Sequence, residues 1–374
     1  MGWSFDRVFY GKKEGLSLRS MWDFLRRGYY PIPDTLFHGY CRAVYRVGDH
    51  DSVYARISKP FPDALLAQRP EGRFAVHFSG GFDSSIVAKL YDREDVDYIH
   101  FTGPESYKAR ALAATLKGTL HEIQLTPEMF IREADELMPL MAEPYTFEDV
   151  VYAYIASKKA RELGHTLIVT GDGGDWVFGG YNVGPDSAEA ADIWKILEPN
   201  RILGLQTLMP LGHQVLDLWS RATLKPQERT TEKLFARRYC QELGLPQEIV
   251  AQKKTPWSGT QGMMDNAKAL RHMESVVENS AYAWITDFRF FGKPRNLLLF
   301  RQYGLVKWLQ ANYKARLDAQ EIQDFARQVR EFNAREAKAA STRHMKEAIK
   351  WCFPPAAIDL GYRVQYRMQK HATV

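Results

Sequence analysis

Phe74-Ala75-Val76-His77-Phe78-Ser79-Gly80-Gly81-Phe82-Asp83-Ser84-Ser85-Ile86-Val87-Ala88 decides how this chain is read. Five residues rich in β-formers run into a polar Gly-Gly turn, and a segment of helical spacing follows at once. The stretch predicts a strand, a loop and a helix N-terminus. Ser79, Gly80, Gly81, Ser84 and Ser85 offer backbone N–H groups and hydroxyls beside the positive end of the helix dipole, which makes a cradle for an anion. The two glycines let backbone approach a phosphate with no Cβ in the way. Asp83 would repel that anion unless a metal ion sits between them. The plainer reading is an ordinary Gly-Gly turn capped by serines. The agreement of motif, strand and helix weighs against it.

Working outward, strands are expected at 74–78, 96–101, 119–125 and 165–170. Helices are expected at 84–92, 106–117, 127–141 and 149–163. This alternation implies an α/β fold with a doubly wound parallel sheet, followed by a mostly helical C-terminal part. Right-handed crossovers in the order 3-2-1-4 place the first and fourth strands side by side. Their loops, 79–83 and 171–175, would then meet at the switch point. The second loop reads Thr170-Gly171-Asp172-Gly173-Gly174-Asp175-Trp176-Val177-Phe178-Gly179-Gly180-Tyr181. Asp83 and Asp175 would face one Mg²⁺ from opposite sides, with phosphates completing its shell. Taken alone, the second loop reads as a solvated Gly/Asp turn.

The 374 residues suffice for a substantial core and two domains. A net charge of +5 suits an anionic ligand without calling for nucleic acid. Cys41, Cys240 and Cys352 are widely spaced, which fits a reducing compartment and makes no zinc pattern. No apolar run reaches the length of about 18 residues expected of a membrane span. These features lead to the expectation of a soluble, cytoplasmic protein.

Ser-Gly-Gly-x-Asp-Ser-Ser at 79–85 resembles the pyrophosphate-binding loop, or PP-loop, of ATP-cleaving enzymes that release pyrophosphate. It is not a Walker loop. Residues 170–181 resemble the Ser-Gly-[Glu/Asp]-Gly-x-Asp-Glu-x-Phe-Gly-Gly-Tyr signature of the asparagine synthetase family. Residues 22–40 resemble the segment that precedes that family's synthetase domain. Glu143-Pro144-Tyr145 with Asp149 resembles its Glu-Pro-Phe-x-Asp segment, and Pro104-Glu105-Ser106-Tyr107-Lys108-Ala109 sits at the family's second helix start. The resemblance runs over about residues 22–260, strongest at 79–85 and 170–181. It implies an N-terminal segment at 1–70, an ATP-binding synthetase domain at 71–260 and a helical region at 261–374. It also implies no glutaminase domain, because Gly2 stands where that family carries its cysteine and few residues precede the match.

In the chemistry the resemblance implies, a carboxylate attacks the α-phosphate of ATP and pyrophosphate leaves. The acyl-adenylate then reacts with ammonia or an amine. Hydroxide is too poor a leaving group for the direct reaction. Ser79, Gly80, Gly81, Asp83, Ser84, Ser85 and Gly171 would bind ATP and the departing pyrophosphate. Asp83 and Asp175 would hold Mg²⁺. Gln252-Lys253-Lys254-Thr255-Pro256-Trp257-Ser258 aligns with the family's lysine segment, and either Lys254 or Lys253 would neutralise phosphate charge. Lys254 fits the register better, and both also read as solvated surface charges. Asp172 would orient or deprotonate the amine. It also reads as a turn residue bonding its own backbone.

Three departures from the family pattern put free aspartate in doubt as the acceptor. Gln206 replaces a Glu, Leu208 replaces an Arg, and Trp176 stands where Glu is usual. Leucine cannot supply arginine's fork of donors for a carboxylate. The nitrogen would come from free ammonia, a separate ammonia-supplying protein or an amine substrate. Two other readings stay open. One is a sulfur-inserting or RNA-modifying enzyme with the same loop, although no Cys-x-x-Cys supports it. The other is a non-catalytic ATP-binding protein of this fold. Residues 319–339 read as a charged helix with Ile322, Phe325, Val329 and Phe332 on one stripe. The tail, with Arg363, Arg367, Lys370 and His371, is basic and reads as a solvated end.

Overall fold

The computed structural model describes residues 4–11, 40–47, 61–144, 149–179, 194–212, 223–230, 232–253, 262–287 and 295–313, with scattered positions elsewhere. Two compact units divide the chain, 1–283 with 295–315 and 284–294 with 316–374. In the second unit every described residue from 319 to 338 that has an assigned state is helical, and Ile322 is half-buried. Phe325, Val329, Phe332 and the basic tail lie outside the described residues.

The first unit opens with β1 (Ser4–Gly11) paired antiparallel to β2 (Tyr40–Val47). Helix α1 (Phe61–Leu66) leads into a parallel sheet of five strands. These are β3 (Phe74–His77), β4 (Val96–Phe101), β5 (Thr119–Ile123), β6 (Leu167–Val169) and β7 (Gln206–Leu208). Their spatial order is β5-β4-β3-β6-β7. The first four follow the expected 3-2-1-4 order. The fifth strand is an addition, because three residues are too few for a period-2 pattern to declare itself.

The sheet is wound on both faces. Phe74 and Val76 of β3 join one apolar cluster with Ile86, Val87 and Tyr91 of α2 (Phe82–Tyr91), and with Ala236 and Cys240 further along the chain. The opposite face carries Phe101, whose ring stands 5.9 Å from Tyr152, which in turn lies 5.7 Å from Phe130. Burial on both sides explains why β3 is a continuous apolar run broken only by a histidine.

His77 is accommodated by a buried polar chain. Ser157 donates to Asn200 Oδ1 at 2.5 Å and lies 3.1 Å from His77 Nε2, while Asn200 donates to Thr207 at 2.8 Å. This chain ties β3 to α5 (Asp149–Glu162), α7 (Trp194–Ile202) and β7. Between them lie α3 (Ser106–Ala113), α4 (Pro127–Leu137) and α6 (Gly174–Phe178). Helix α4 starts where Pro127 follows Thr126, whose hydroxyl accepts from Met129 N at 3.2 Å, a normal N-cap.

The C-terminal part of this unit is helical, with α8 (Leu234–Glu242), α9 (Gln247–Val250), α10 (Ala267–Glu278) and α11 (Arg295–Asn312). Asp135 of α4 receives Tyr303 OH at 2.8 Å and lies 2.9 Å from Lys307 Nζ and from His272 Nε2. That hub fastens α10 and α11 to the sheet's flank. No helix among the described residues is long and apolar enough to cross a membrane.

Candidate active site at the two glycine-rich loops

The loop after β3 closes on itself. Ser79 Oγ accepts from Gly81 N at 3.2 Å and lies 2.9 Å from Ser84 Oγ, which donates to Gly81 O at 3.2 Å. Gly81 is the N-cap of α2 and no side chain caps that helix, so a ligand can use the N–H groups of its first turn. The Gly80 carbonyl accepts from Gln252 Nε2 at 3.2 Å. Ser79 is exposed, whereas Ser84 and Ser85 are buried. His100 braces the loop from β4, with Nδ1 2.8 Å from Phe78 O and Nε2 2.8 Å from Ser106 Oγ. Burial pushes its imidazole below the ordinary value.

The loop after β6 lies directly on this one. A Cβ on Gly171 would fall 2.5 Å from Ser84 N. A Cβ on Gly174 would fall 2.4 Å from Asp83 Cγ. Only glycine permits this approach. The expected meeting of the loops thus holds, and it brings Asp83 and Asp175 to one place.

A residue that the sequence analysis missed stands between them. Lys233 Nζ lies 2.5 Å from Asp83 Oδ2 and 2.7 Å from Asp175 Oδ1. Its side chain is 1% exposed. Burial alone would push the ammonium down, but the two carboxylates more than offset it, and its pKa lies above the usual lysine value. Among the described residues Lys233 is the one non-glycine with positive φ, at 49°. That conformation costs about 1–2 kcal/mol. The packing of α8 sets its place. Phe235 stacks 5.8 Å from Phe178, which closes the second loop, and Phe235 and Tyr239 flank Phe61 at 5.7 and 5.1 Å. Arg237 lies over the Phe82 ring at 5.1 Å and donates to Gln252 O at 2.9 Å. Helix α8 therefore touches both loops and the segment at 252. No local motif announces Lys233, since Glu232-Lys233-Leu234 reads as an ordinary charged helix start.

Asp172 has a different cationic neighbour from that pair of carboxylates. Its Oδ1 is 3.6 Å from Lys195 Nζ, and Lys195 also lies 3.7 Å from Asp149 Oδ2. The Asp172 amide donates to Thr170 Oγ1 at 3.2 Å. Lys195 projects from α7 and is the second lysine that the sequence analysis did not single out.

Lys253 is exposed, and Lys254 with Trp257 and Ser258 lies outside the described residues, as do Tyr145, Gly180 and Tyr181. Gln206 begins β7 and is exposed, while Leu208 is buried in the apolar cluster with Val169 and Leu211. Among the described residues no group of three or more His, Cys, Asp and Glu is placed to hold a metal. A hard divalent cation would have two carboxylates from the chain and would need phosphate or water oxygens for the rest, a donor set that suits Mg²⁺.

Comparison with known proteins finds a family match over the part of the chain that carries both loops. Residues 66–231 match the sequence profile of the family described as asparagine synthase. Glutamine-hydrolyzing asparagine synthetase 1 of Saccharomyces cerevisiae is 24% identical over 314 residues, covering 64% of this chain and 54% of that protein. Glutamine-hydrolyzing asparagine synthetase of Zea mays is 29% identical over 126 residues, covering 29% of this chain and 21% of that protein. That of Sandersonia aurantiaca is 28% identical over 148 residues, covering 33% of this chain and 27% of that protein. The chain thus spans about half the length of the yeast relative or less of the others.

Proposed function

Starting from an asparagine synthase domain, an ATP-binding ligase domain of the PP-loop kind, at residues 66–231, we propose that the protein forms amide bonds at the expense of ATP. A substrate carboxylate is adenylated, pyrophosphate leaves, and ammonia or an amine takes the acyl group. One observation carries this reading. Asp83 and Asp175, on two separate glycine-rich loops, converge on a single cationic group.

The roles follow from position. Ser79, Gly80, Gly81 and Ser84 with the start of α2 receive the β- and γ-phosphates, because backbone N–H groups and the helix dipole point there. Gly171 keeps the second loop close enough to share them. Asp83 and Asp175 would hold Mg²⁺, which when bound supplies charge neutralisation to phosphate oxygens. Lys254 or Lys253 would add positive charge at the phosphates. Asp172 orients the amine or takes its proton, and Lys195, 3.6 Å from that carboxylate, helps to position it. With a leucine in the core at 208 rather than an arginine, free aspartate is a poor acceptor and a less charged acid is preferred. Residues 1–70 act as a lead-in segment, and 261–374 follow the synthetase domain in the chain as a helical region. Three widely spaced cysteines support a reducing compartment, the cytoplasm, for the protein.

The test is pyrophosphate release from ATP across a panel of carboxylic acids with ammonia or amines. Wild type is expected to release pyrophosphate only when Mg²⁺ and an acceptable acid are present. Asp83→Asn and Asp175→Asn are each expected to abolish that release while keeping the far-UV circular dichroism spectrum. Undiminished turnover in both variants would overturn the assignment.

A further inference from the structure

The geometry points to Lys233 as a built-in counter-ion that occupies the cation seat between Asp83 and Asp175, so that a divalent metal enters only together with a polyphosphate. This inference rests on reading those two aspartates as metal carboxylates.

Lys233 Nζ engages one oxygen of each carboxylate, at 2.5 and 2.7 Å. These two side chains are the same ones that would supply the metal's protein oxygens. The lysine cannot leave by a backbone movement at small cost. Arg237 N donates to Lys233 O at 2.9 Å as the first turn of α8, and Phe235 and Tyr239 hold that helix against Phe61. What can move is the four-carbon stem, which carries a compact point charge on flexible bonds.

Charge decides when it moves. Among the described residues, these two carboxylates and one ammonium sum to a single negative charge. A bare divalent cation brought there meets the buried ammonium at contact distance, and the two repel each other. A polyphosphate changes the balance. It brings several negative charges and oxygen ligands, so metal and ammonium can both find partners. Metal and nucleotide then favour each other's binding, and the coupling is reciprocal. In the nucleotide-free protein the same lysine cancels part of the repulsion between two carboxylates that the touching loops force together.

The experiment measures Mn²⁺ binding to the full chain by the electron paramagnetic resonance signal of free Mn²⁺, with and without α,β-methylene-ATP, an analogue that cannot release pyrophosphate. Mn²⁺ taken up by the free analogue is measured in a protein-free titration and subtracted. In wild type the analogue is expected to tighten Mn²⁺ binding by at least about tenfold, and Mn²⁺ to tighten the analogue by the same factor. Lys233→Met without nucleotide is expected to bind Mn²⁺ at least about tenfold tighter than wild type, because one opposing unit charge is gone. Adding Asp83→Asn to that variant is expected to remove the gain. Lys233→Gln is the second neutral variant should Lys233→Met fail to fold, and Lys233→Arg is expected to behave as wild type. Equal Mn²⁺ affinity in wild type with and without the analogue overturns the inference, as does no gain in the neutral variants. Either result leaves the metal assignment standing if Mn²⁺ binds. Absence of Mn²⁺ binding in wild type even with the analogue overturns the metal assignment, and this inference with it.

Discussion

Gly174 and Asp83 belong to different loops, yet a Cβ on Gly174 would fall 2.4 Å from Asp83 Cγ and 2.5 Å from its Oδ1. The carboxylate assigned to metal is therefore aimed by a missing side chain on the opposite loop. Gly174→Ala should push the Asp83 carboxylate aside, because a side chain can yield. It is expected to cost roughly 1–3 kcal/mol of stability, as overpacking does, and to weaken nucleotide-dependent Mn²⁺ binding. Gly171→Ala meets backbone instead, Ser84 N at 2.5 Å and Asp83 C at 2.7 Å, and is expected to destabilise more. Thermal unfolding of the two variants side by side checks the order. Equal and negligible losses would mean that the loops are not in contact.

His77 makes stability depend on pH. Burial pushes its imidazole from 6.5 down to about 4. Ser157 donates to Asn200 and so can accept from His77, which holds the ring neutral with its proton on Nε2. Between those two values the unfolded chain binds a proton that the folded one refuses, so stability rises with pH across the window. It is fully present above the unfolded value near 6.5 and is lost as pH falls toward 4, by about 3 kcal/mol in all. Urea unfolding between pH 4 and 7.5 is expected to show this slope. His77→Gln, which retains a donor but does not titrate, is expected to flatten it. An unchanged slope in that variant would assign the dependence elsewhere.

Asp172 shares Lys195 with Asp149, whereas Asp83 and Asp175 share Lys233. If it serves the amine and not the phosphates, the two half-reactions should separate. With an acid that supports turnover, Asp172→Asn is expected to keep ATP–pyrophosphate exchange near wild type and to lower amide formation by about 10²–10⁴-fold, the usual contribution of a general base. Lys195→Met is expected to lower amide formation more than ATP–pyrophosphate exchange, because the Asp172 carboxylate loses the ammonium that lies 3.6 Å from it. Equal loss of both half-reactions in Asp172→Asn would place Asp172 with the phosphates instead.

Much of the fold and part of the site were set out by local sequence. Residues 74–88 announce strand, loop and helix by themselves, because β-formers, glycines and helical spacing follow without a break. The alternation that follows dictates a parallel sheet, and crossover handedness leaves few orders for four strands. With the order 3-2-1-4, that reasoning brings the loops bearing Asp83 and Asp175 together, and the sheet has that order. Two residues of the site needed tertiary structure. Lys233 reaches Asp83 across 150 positions of chain, and it does so because Phe235 and Tyr239 pack α8 beneath the loops. Lys195 meets Asp172 because α7 lies against α5, joined through Asn200 and Ser157. Neither lysine carries a pattern, since a single charge at a helix start looks the same whether it faces water or a carboxylate. Local order is written in periodicity and turn chemistry, which neighbouring residues share. The partners of a buried charge are chosen by packing between segments distant in sequence, and only the folded chain decides them.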